Sequence, residues 1–220
     1  SDESLSLILD ALDETGAWDN TVVIFTADHG DQCGSHGLRS KGPWNYEETM
    51  KIPLYVVAPG ITSPGTVTDA MMSPVDLAAT ICELGGINPD EADLPGRSML
   101  PLWENPSLDG RDYVLFAQDW AWYDGLLNTR YASRGIFDGR YKYCRYYGVG
   151  GSSTTRGTPI EGPKIFTEDA HFDDQEHEFY DLHEDPHELV NLAMDRNRRA
   201  ELREWYERLG EAEIDEFLSL

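Results

Sequence analysis

Thr21-Val-Val-Ile-Phe-Thr26 runs directly into Ala27-Asp-His-Gly30. A continuous run of β-branched and aromatic residues is the pattern of a strand buried on both faces in a parallel sheet. Upstream, Leu5, Ile8, Leu9 and Leu12 recur at helical spacing and Gly16 supplies a stop, which predicts an amphipathic helix packed on that sheet. Helix, short loop and buried strand read as one α/β unit. Asp28 and His29 then stand where the carboxyl end of the strand opens into a loop, the place where open α/β sheets bind ligands. Aspartate offers a hard anionic oxygen and histidine a neutral imidazole nitrogen, both suited to a divalent cation; a turn aspartate beside a core histidine is the plainer alternative. Two adjacent ligands do not complete a site, and Gly30 is expected to let the backbone turn sharply.

Downstream, Ile52-Pro-Leu-Tyr-Val-Val-Ala58 predicts a second strand, closed by Pro59-Gly60. Ser73-Pro74 read as N-cap and first residue of a helix with Val75, Ala78, Ala79 and Cys82 on one face and Gly85-Gly86 at its end. Proline, glycine and acidic residues crowd the stretch from Asp90 to Asp112, so a boundary is placed there: residues 1–105 close an α/β domain and 106–220 form a small α+β subdomain. Strands are expected from Tyr113 to Phe116, from Arg140 to Tyr147 and from Glu178 to Leu182, in an antiparallel sheet. Gly148 to Thr158 reads as a Gly/Ser/Thr-rich loop. From Ala200, Leu202, Trp205, Tyr206 and Leu209 share a helical face that would close over this sheet.

The chain has 220 residues, 40% of them apolar and 11% aromatic, enough for a real core. Its 41 acidic residues against 17 basic ones give a formal net charge of −24, which argues against a nucleic-acid partner. The acidic residues are spread along the whole chain, and lysine occurs only at positions 41, 51, 142 and 164. We read this as adaptation to high salt, an idea that equal stability in dilute buffer and molar salt would refute. Three cysteines, none in a CxxC pair, favour a reducing, cytoplasmic setting. No apolar run is long enough for a membrane helix, and Ser1-Asp2-Glu3 lacks the features of a signal peptide. The start reads as internal to a larger protein.

An ordered series of motifs carries a resemblance: Thr21 to Gly30, Ser35-His-Gly37, Lys41, Tyr46-Glu-Glu48, Ile52 to Gly60, Ser73-Pro-Val-Asp-Leu-Ala-Ala-Thr80, Leu94-Pro-Gly-Arg-Ser-Met-Leu-Pro101, Gly139-Arg-Tyr-Lys-Tyr143, and Phe179-Tyr-Asp-Leu-His-Glu-Asp-Pro186 with Asn191-Leu192. In order and spacing it resembles the sulfatases of the alkaline phosphatase superfamily over nearly the whole chain. The resemblance implies the end of an alkaline-phosphatase-like α/β sheet domain, followed by a small antiparallel sheet with a C-terminal helix. It implies hydrolysis of a small-molecule sulfate ester, with Asp28 and His29 as ligands of one divalent cation. That cation is commonly Ca2+; because many sulfatases have Asn where His29 stands, Mn2+ or Mg2+ and a phosphonate monoester or phosphodiester substrate stay open.

Lys41 falls where the family places a lysine that contacts a sulfate oxygen and stabilises charge on the leaving oxygen. His36 is a weaker catalytic candidate, open as a general acid, as a partner of another site residue, or as a loop residue. Trp44 and Tyr46 read as packing residues, Cys33 as a small filler, and His171, His177, His183 and His187 as part of a solvated acidic tract. The family nucleophile is a formylglycine made from Cys-x-Pro-x-Arg, and none of Cys33, Cys82 and Cys144 has that context. The expected partner is therefore a missing N-terminal portion, without which the chain should expose an apolar sheet edge. A non-catalytic fragment or partner module is the reading from another class.

Overall fold

The computed structural model describes residues 2–42, 44–119, 132–147, 154–155, 158–159 and 171–217. Helix α1 (Asp2–Thr15) ends at Gly16, whose φ of 67° is the left-handed helix-stop conformation. None of its residues is buried, and Leu7 and Ile8 are largely exposed. The expected packing of this helix on a sheet is thus corrected: periodicity records an apolar stripe, not what covers it.

Strand β1 (Val23–Thr26) pairs antiparallel with β2 (Leu54–Val57), setting Val23 opposite Val57, Ile24 opposite Val56, Phe25 opposite Tyr55 and Thr26 opposite Leu54. Directly opposed residues share a face. Ile24, Val56 and Leu54 pack on the cluster of Ala58, Met99 and Trp103, whereas Phe25, Tyr55 and Val57 are exposed on the other face. The doubly buried parallel strand expected from the run at Thr21 to Thr26 is corrected on both counts, since among the described residues one apolar face is covered and one is open. A short helix α2 (Glu47–Met50) precedes β2; α3 (Asp76–Leu84) and α4 (Leu100–Glu104) follow it. On α3 the buried residues are Asp76, Ala79 and Thr80, so of the predicted face of Val75, Ala78, Ala79 and Cys82 only Ala79 is buried, Cys82 is half-buried and Val75 and Ala78 are exposed. Ser73 makes no side-chain cap; its N–H donates instead to the Asp76 carboxylate.

The second sheet is a four-stranded antiparallel meander in the order β3 (Val114–Asp119), β4 (Ala132–Phe137), β5 (Tyr141–Tyr147) and β8 (Glu176–Asp181). Two-residue strands β6 (Thr154–Thr155) and β7 (Thr158–Pro159) pair with each other; the rest of the predicted Gly/Ser/Thr-rich loop lies outside the described residues. Strand β4 went unpredicted because Ala-Ser-Arg-Gly-Ile-Phe lacks a β-rich run. It is recruited by the tight connection Asp138-Gly139-Arg140, with Gly139 at φ 94° and Asp138 Oδ1 accepting from the N–H groups of Arg140 and Tyr141.

Period-2 alternation along β5 sends its side chains to two different neighbours. Tyr143 shares a face with its cross-strand partners Ile136 and Phe179, and that face meets Leu202, Trp205, Leu209 and Ala212 of helix α5 (Arg199–Phe217) in one core. Lys142, Cys144 and Tyr146 point the other way, toward segment 45–47. His177, expected in a solvated tract, instead lies half-buried on β8, where Nε2 donates to the Phe172 carbonyl and Nδ1 accepts from the Tyr143 hydroxyl, both at 2.8 Å. Burial lowers its pKa. His171, His183 and His187 are exposed.

At the end of β8, Asp181 accepts from the Arg140 guanidinium at 2.6 and 3.1 Å and from the His183 N–H. The Arg140 hydrogen bonds hold its carboxyl down at about 2. Because this lies below the value of roughly 3.9 in an unfolded chain, the pair stabilises the fold above about pH 4, and that contribution is lost as pH falls through 2. Arg140 is half-exposed, so solvent screening leaves only a small part of this gain. Urea unfolding should show Asp181→Asn modestly less stable than the parent at neutral pH, with the gap closing near pH 2; a pH-independent gap would discard the assignment.

Candidate active site

The run of strand β1 delivers Asp28 and His29 to the loop at its carboxyl end, and the chain then makes a strained excursion before returning through α2. Cys33, His36 and Ser40 have φ of 48°, 52° and 62°, left-handed values that cost a side-chain-bearing residue of order 1 kcal/mol each. Such strain persists where surrounding contacts over-determine the backbone. Here Thr49 of α2 supplies them: its carbonyl accepts the Gly30 N–H at 2.8 Å, its hydroxyl donates to the Lys41 carbonyl at 3.1 Å, and the buried Gln32 amide donates to that hydroxyl at 2.6 Å. Gly30 is required by this approach rather than by a sharp turn, since any Cβ there would overlap the Glu48 carbonyl.

The predicted Asp28, His29 and Lys41 come together. His29 Nδ1 lies 2.7 Å from the Gly30 carbonyl, which accepts only, so Nδ1 carries the proton and Nε2 presents its lone pair. The Lys41 ammonium donates to that Nε2 at 3.0 Å, and Asp28 Oδ2 lies 3.4 Å from the same nitrogen. The Asp28 side chain is 84% exposed and that of His29 35% exposed, so carboxylate and imidazole both face an accessible mouth. One hard oxygen and one imidazole nitrogen, its tautomer set by a backbone acceptor on the other ring atom, are donor types that divalent cations take; in this structure the Nε2 lone pair accepts from the Lys41 ammonium. Among the described residues no group of three or more His, Cys, Asp or Glu side chains is placed to hold a metal.

His36 is held apart from this trio. Its ring stacks on Tyr46 with centroids 3.8 Å apart and planes 7° from parallel, and Nε2 sits 3.8 Å from the Glu48 carboxylate. Trp44 covers the α-carbon of Gly42, whose φ is 56°. Tyr46 reaches Glu178 of β8, so the site loop leans on the small sheet. The residues that sequence reasoning missed sit at this seam: Lys142 Nζ donates to the Asn45 carbonyl and to Glu47, and pairs with Glu188. The only signal for Glu47 and Lys142 was membership in the motifs Tyr46-Glu-Glu48 and Gly139 to Tyr143; Asn45 and Glu188 lie outside the quoted motifs.

With this geometry in hand, similarity to known proteins becomes informative. The family model described as Sulfatase matches residues 1–87. The chain is 33% identical over 205 residues to the multifunctional alkaline phosphatase superfamily protein PehA of Trinickia caryophylli, covering 88% of this chain and 34% of that protein. It is 32% identical over 220 residues to the endo-4-O-sulfatase of Bacteroides thetaiotaomicron, covering 95% and 38% respectively. Among solved structures, the phosphonate monoester hydrolase of Agrobacterium radiobacter superposes with a TM-score of 0.74 at 26% identity, over 98% of this chain and 39% of that one. The chain therefore spans little more than a third of the length of these relatives.

Proposed function

We propose that this chain, matched by the Sulfatase family model over residues 1–87 and similar to relatives of that family over most of its length, serves the hydrolysis of a sulfate ester, with Asp28 and His29 as ligands of a divalent cation and Lys41 as the cationic group beside the substrate anion. The observation that carries this is the convergence of those three side chains at the end of β1. When bound, the cation, Ca2+ by family expectation with Mn2+ or Mg2+ as alternatives, supplies Lewis-acid polarisation of a tetrahedral anion. Asp28 contributes the anionic ligand, and the Gly30 carbonyl fixes the His29 tautomer so that Nε2, which accepts from the Lys41 ammonium in this structure, is the ligating atom. Lys41 offsets negative charge developing on the leaving oxygen. The stacking of His36 on Tyr46 supports, among its open roles, that of a residue holding the loop beside the site.

None of Cys33, Cys82 and Cys144 lies in a Cys-x-Pro-x-Arg sequence, so a formylglycine nucleophile is not supplied by these 220 residues. The exposed Phe25, Tyr55 and Val57 face supports a further sulfatase α/β segment as the partner that covers it. Division into residues 1–105 and 106–220 is supported by two separate apolar clusters, one under β1–β2 and one between the four-stranded sheet and α5. Three free cysteines support a cytoplasmic site of action and the charge of −24 supports work at high salt; among the described residues no helix is long and apolar enough to cross a membrane.

The second reading is phosphonate monoester or phosphodiester hydrolysis, favoured by His29 itself and by the similarity to the Agrobacterium hydrolase. Both reactions set a tetrahedral anion on the same cation. Comparing kcat/KM for an aryl sulfate and an aryl phosphonate in the natively expressed protein decides between them: sulfate should lead by at least tenfold, and a phosphonate lead would replace the first reading with the second.

A further inference from the structure

Between the site loop and the second sheet lies a buried charge node. Lys142 Nζ stands 2.6 Å from Glu47 Oε1, 3.0 Å from the Asn45 carbonyl and 2.9 Å from Glu188 Oε1. The Lys142 and Glu188 side chains are each 1% exposed. Glu188 Oε2 in turn accepts the Glu47 N–H at 2.7 Å, one of the donors that the start of α2 leaves unpaired. Glu188 holds this carboxylate in place from a left-handed backbone, at φ 51°. Burial alone would pull the Lys142 ammonium toward neutrality, but Glu188 and Glu47 outweigh it and raise its pKa.

Stability does not explain the choice of residues, because buried ion pairs replaced by well-packed apolar side chains often leave a fold as stable or more so. What an apolar cluster lacks is direction. Lys142 donates along fixed lines to the Asn45 carbonyl and Glu47, and Glu188 accepts along a fixed line from the Glu47 N–H. The start of α2 therefore has one favourable placement against β5. At its far end Thr49 holds the backbone of both Gly30 and Lys41.

We propose that Lys142 and Glu188 are positioning residues for the Asp28, His29 and Lys41 site, acting through α2 and Thr49. The inference rests on the reading of those three as the functional site, but it is tested without cation or substrate. In alkaline buffer, long-range 15N–1H correlation of the imidazoles should show His29 as the Nδ1–H tautomer and His177 as the Nε2–H tautomer, so the two rings are told apart and His177 reports on the small sheet. Glu188→Gln keeps an acceptor for the Glu47 N–H but removes the charge; Lys142→Met removes the ammonium. In at least one of the two, His29 should lose its fixed Nδ1–H signature and revert to the mixture of free histidine while His177 is unchanged. An unchanged His29 in both variants, or loss of the His177 signature together with that of His29 in both, would overturn the proposal. Failure of the site reading shows separately, as His29 signals in the parent chain that do not respond to added Ca2+ or Mn2+.

Discussion

Arg111→Ala should lower the unfolding free energy by about 3–5 kcal/mol, the cost of leaving a buried charge without its partner. Arg111 Nε and Nη2 donate to the two oxygens of Asp76 at 2.9 and 2.5 Å, and Nη1 donates to Glu216 of α5 at 2.6 Å. The Asp76 side chain is 4% exposed and also accepts the N–H groups of Ser73 and Arg97. One guanidinium thus joins the start of α3 to the last helix. Burial pushes the Asp76 carboxyl up, but the hydrogen bonds from Arg111 and the two N–H groups outweigh it and hold it below the usual value. Without Arg111 that balance shifts, and the carboxyl takes up a proton more readily. The penalty should accordingly shrink as pH falls, and the double variant Arg111→Leu/Asp76→Leu should cost less than the sum of the singles. Denaturant midpoints across a pH series measure all three quantities. A loss below 1 kcal/mol for Arg111→Ala would show that water or relaxation replaces the pair.

Lys41→Ala should lower kcat for the sulfate ester by 10²–10³, the range found when one preorganised group facing developing charge is removed. The effect should fall mainly on kcat rather than KM, because charge on the leaving oxygen grows only in the transition state. Stability should change less than kcat, because alanine retains the Lys41 backbone carbonyl that accepts from the Thr49 hydroxyl, although the ammonium's hydrogen bond to His29 Nε2 is lost. Steady-state kinetics and a thermal melt of the natively expressed variant test both halves. Unchanged kcat would remove Lys41 from the chemistry, whereas a collapsed melt would show its side chain to be structural.

Much of this was readable from one sequence. Asp28 and His29 were legible as candidates because an Asp-His pair at a strand end is a local pattern, and the resemblance carried by the ordered motifs added Lys41; the structure brings the three side chains together. The strands over Tyr113 to Phe116, Arg140 to Tyr147 and Glu178 to Leu182 were legible for the same reason. Strand β4 was not, since its pairing comes from the Asp138-Gly139-Arg140 turn and from β3 and β5 on either side.

Lys142 shows where such reading stops. In Arg140-Tyr-Lys-Tyr-Cys-Arg-Tyr-Tyr147 the alternation of side chains is plain, but both faces of β5 are buried, one under α5 and one against segment 45–47, so polarity no longer marks inside from outside. The same holds for Asp76, which nothing in its neighbouring sequence marks as buried and which the structure places against Arg111. The sequence by itself determined most of the strands, the first and last helices and the ordered motifs that carry the sulfatase resemblance, because backbone preference and motif spacing are set by near neighbours in the chain. Only the tertiary structure decided the antiparallel pairing of β1 with β2, the open face at Phe25 and Tyr55, and the partners of Lys142 and Arg111. A buried charge is matched by whatever carboxylate the fold brings within 3 Å, and in these pairs that carboxylate lies 35 to 105 positions away along the chain.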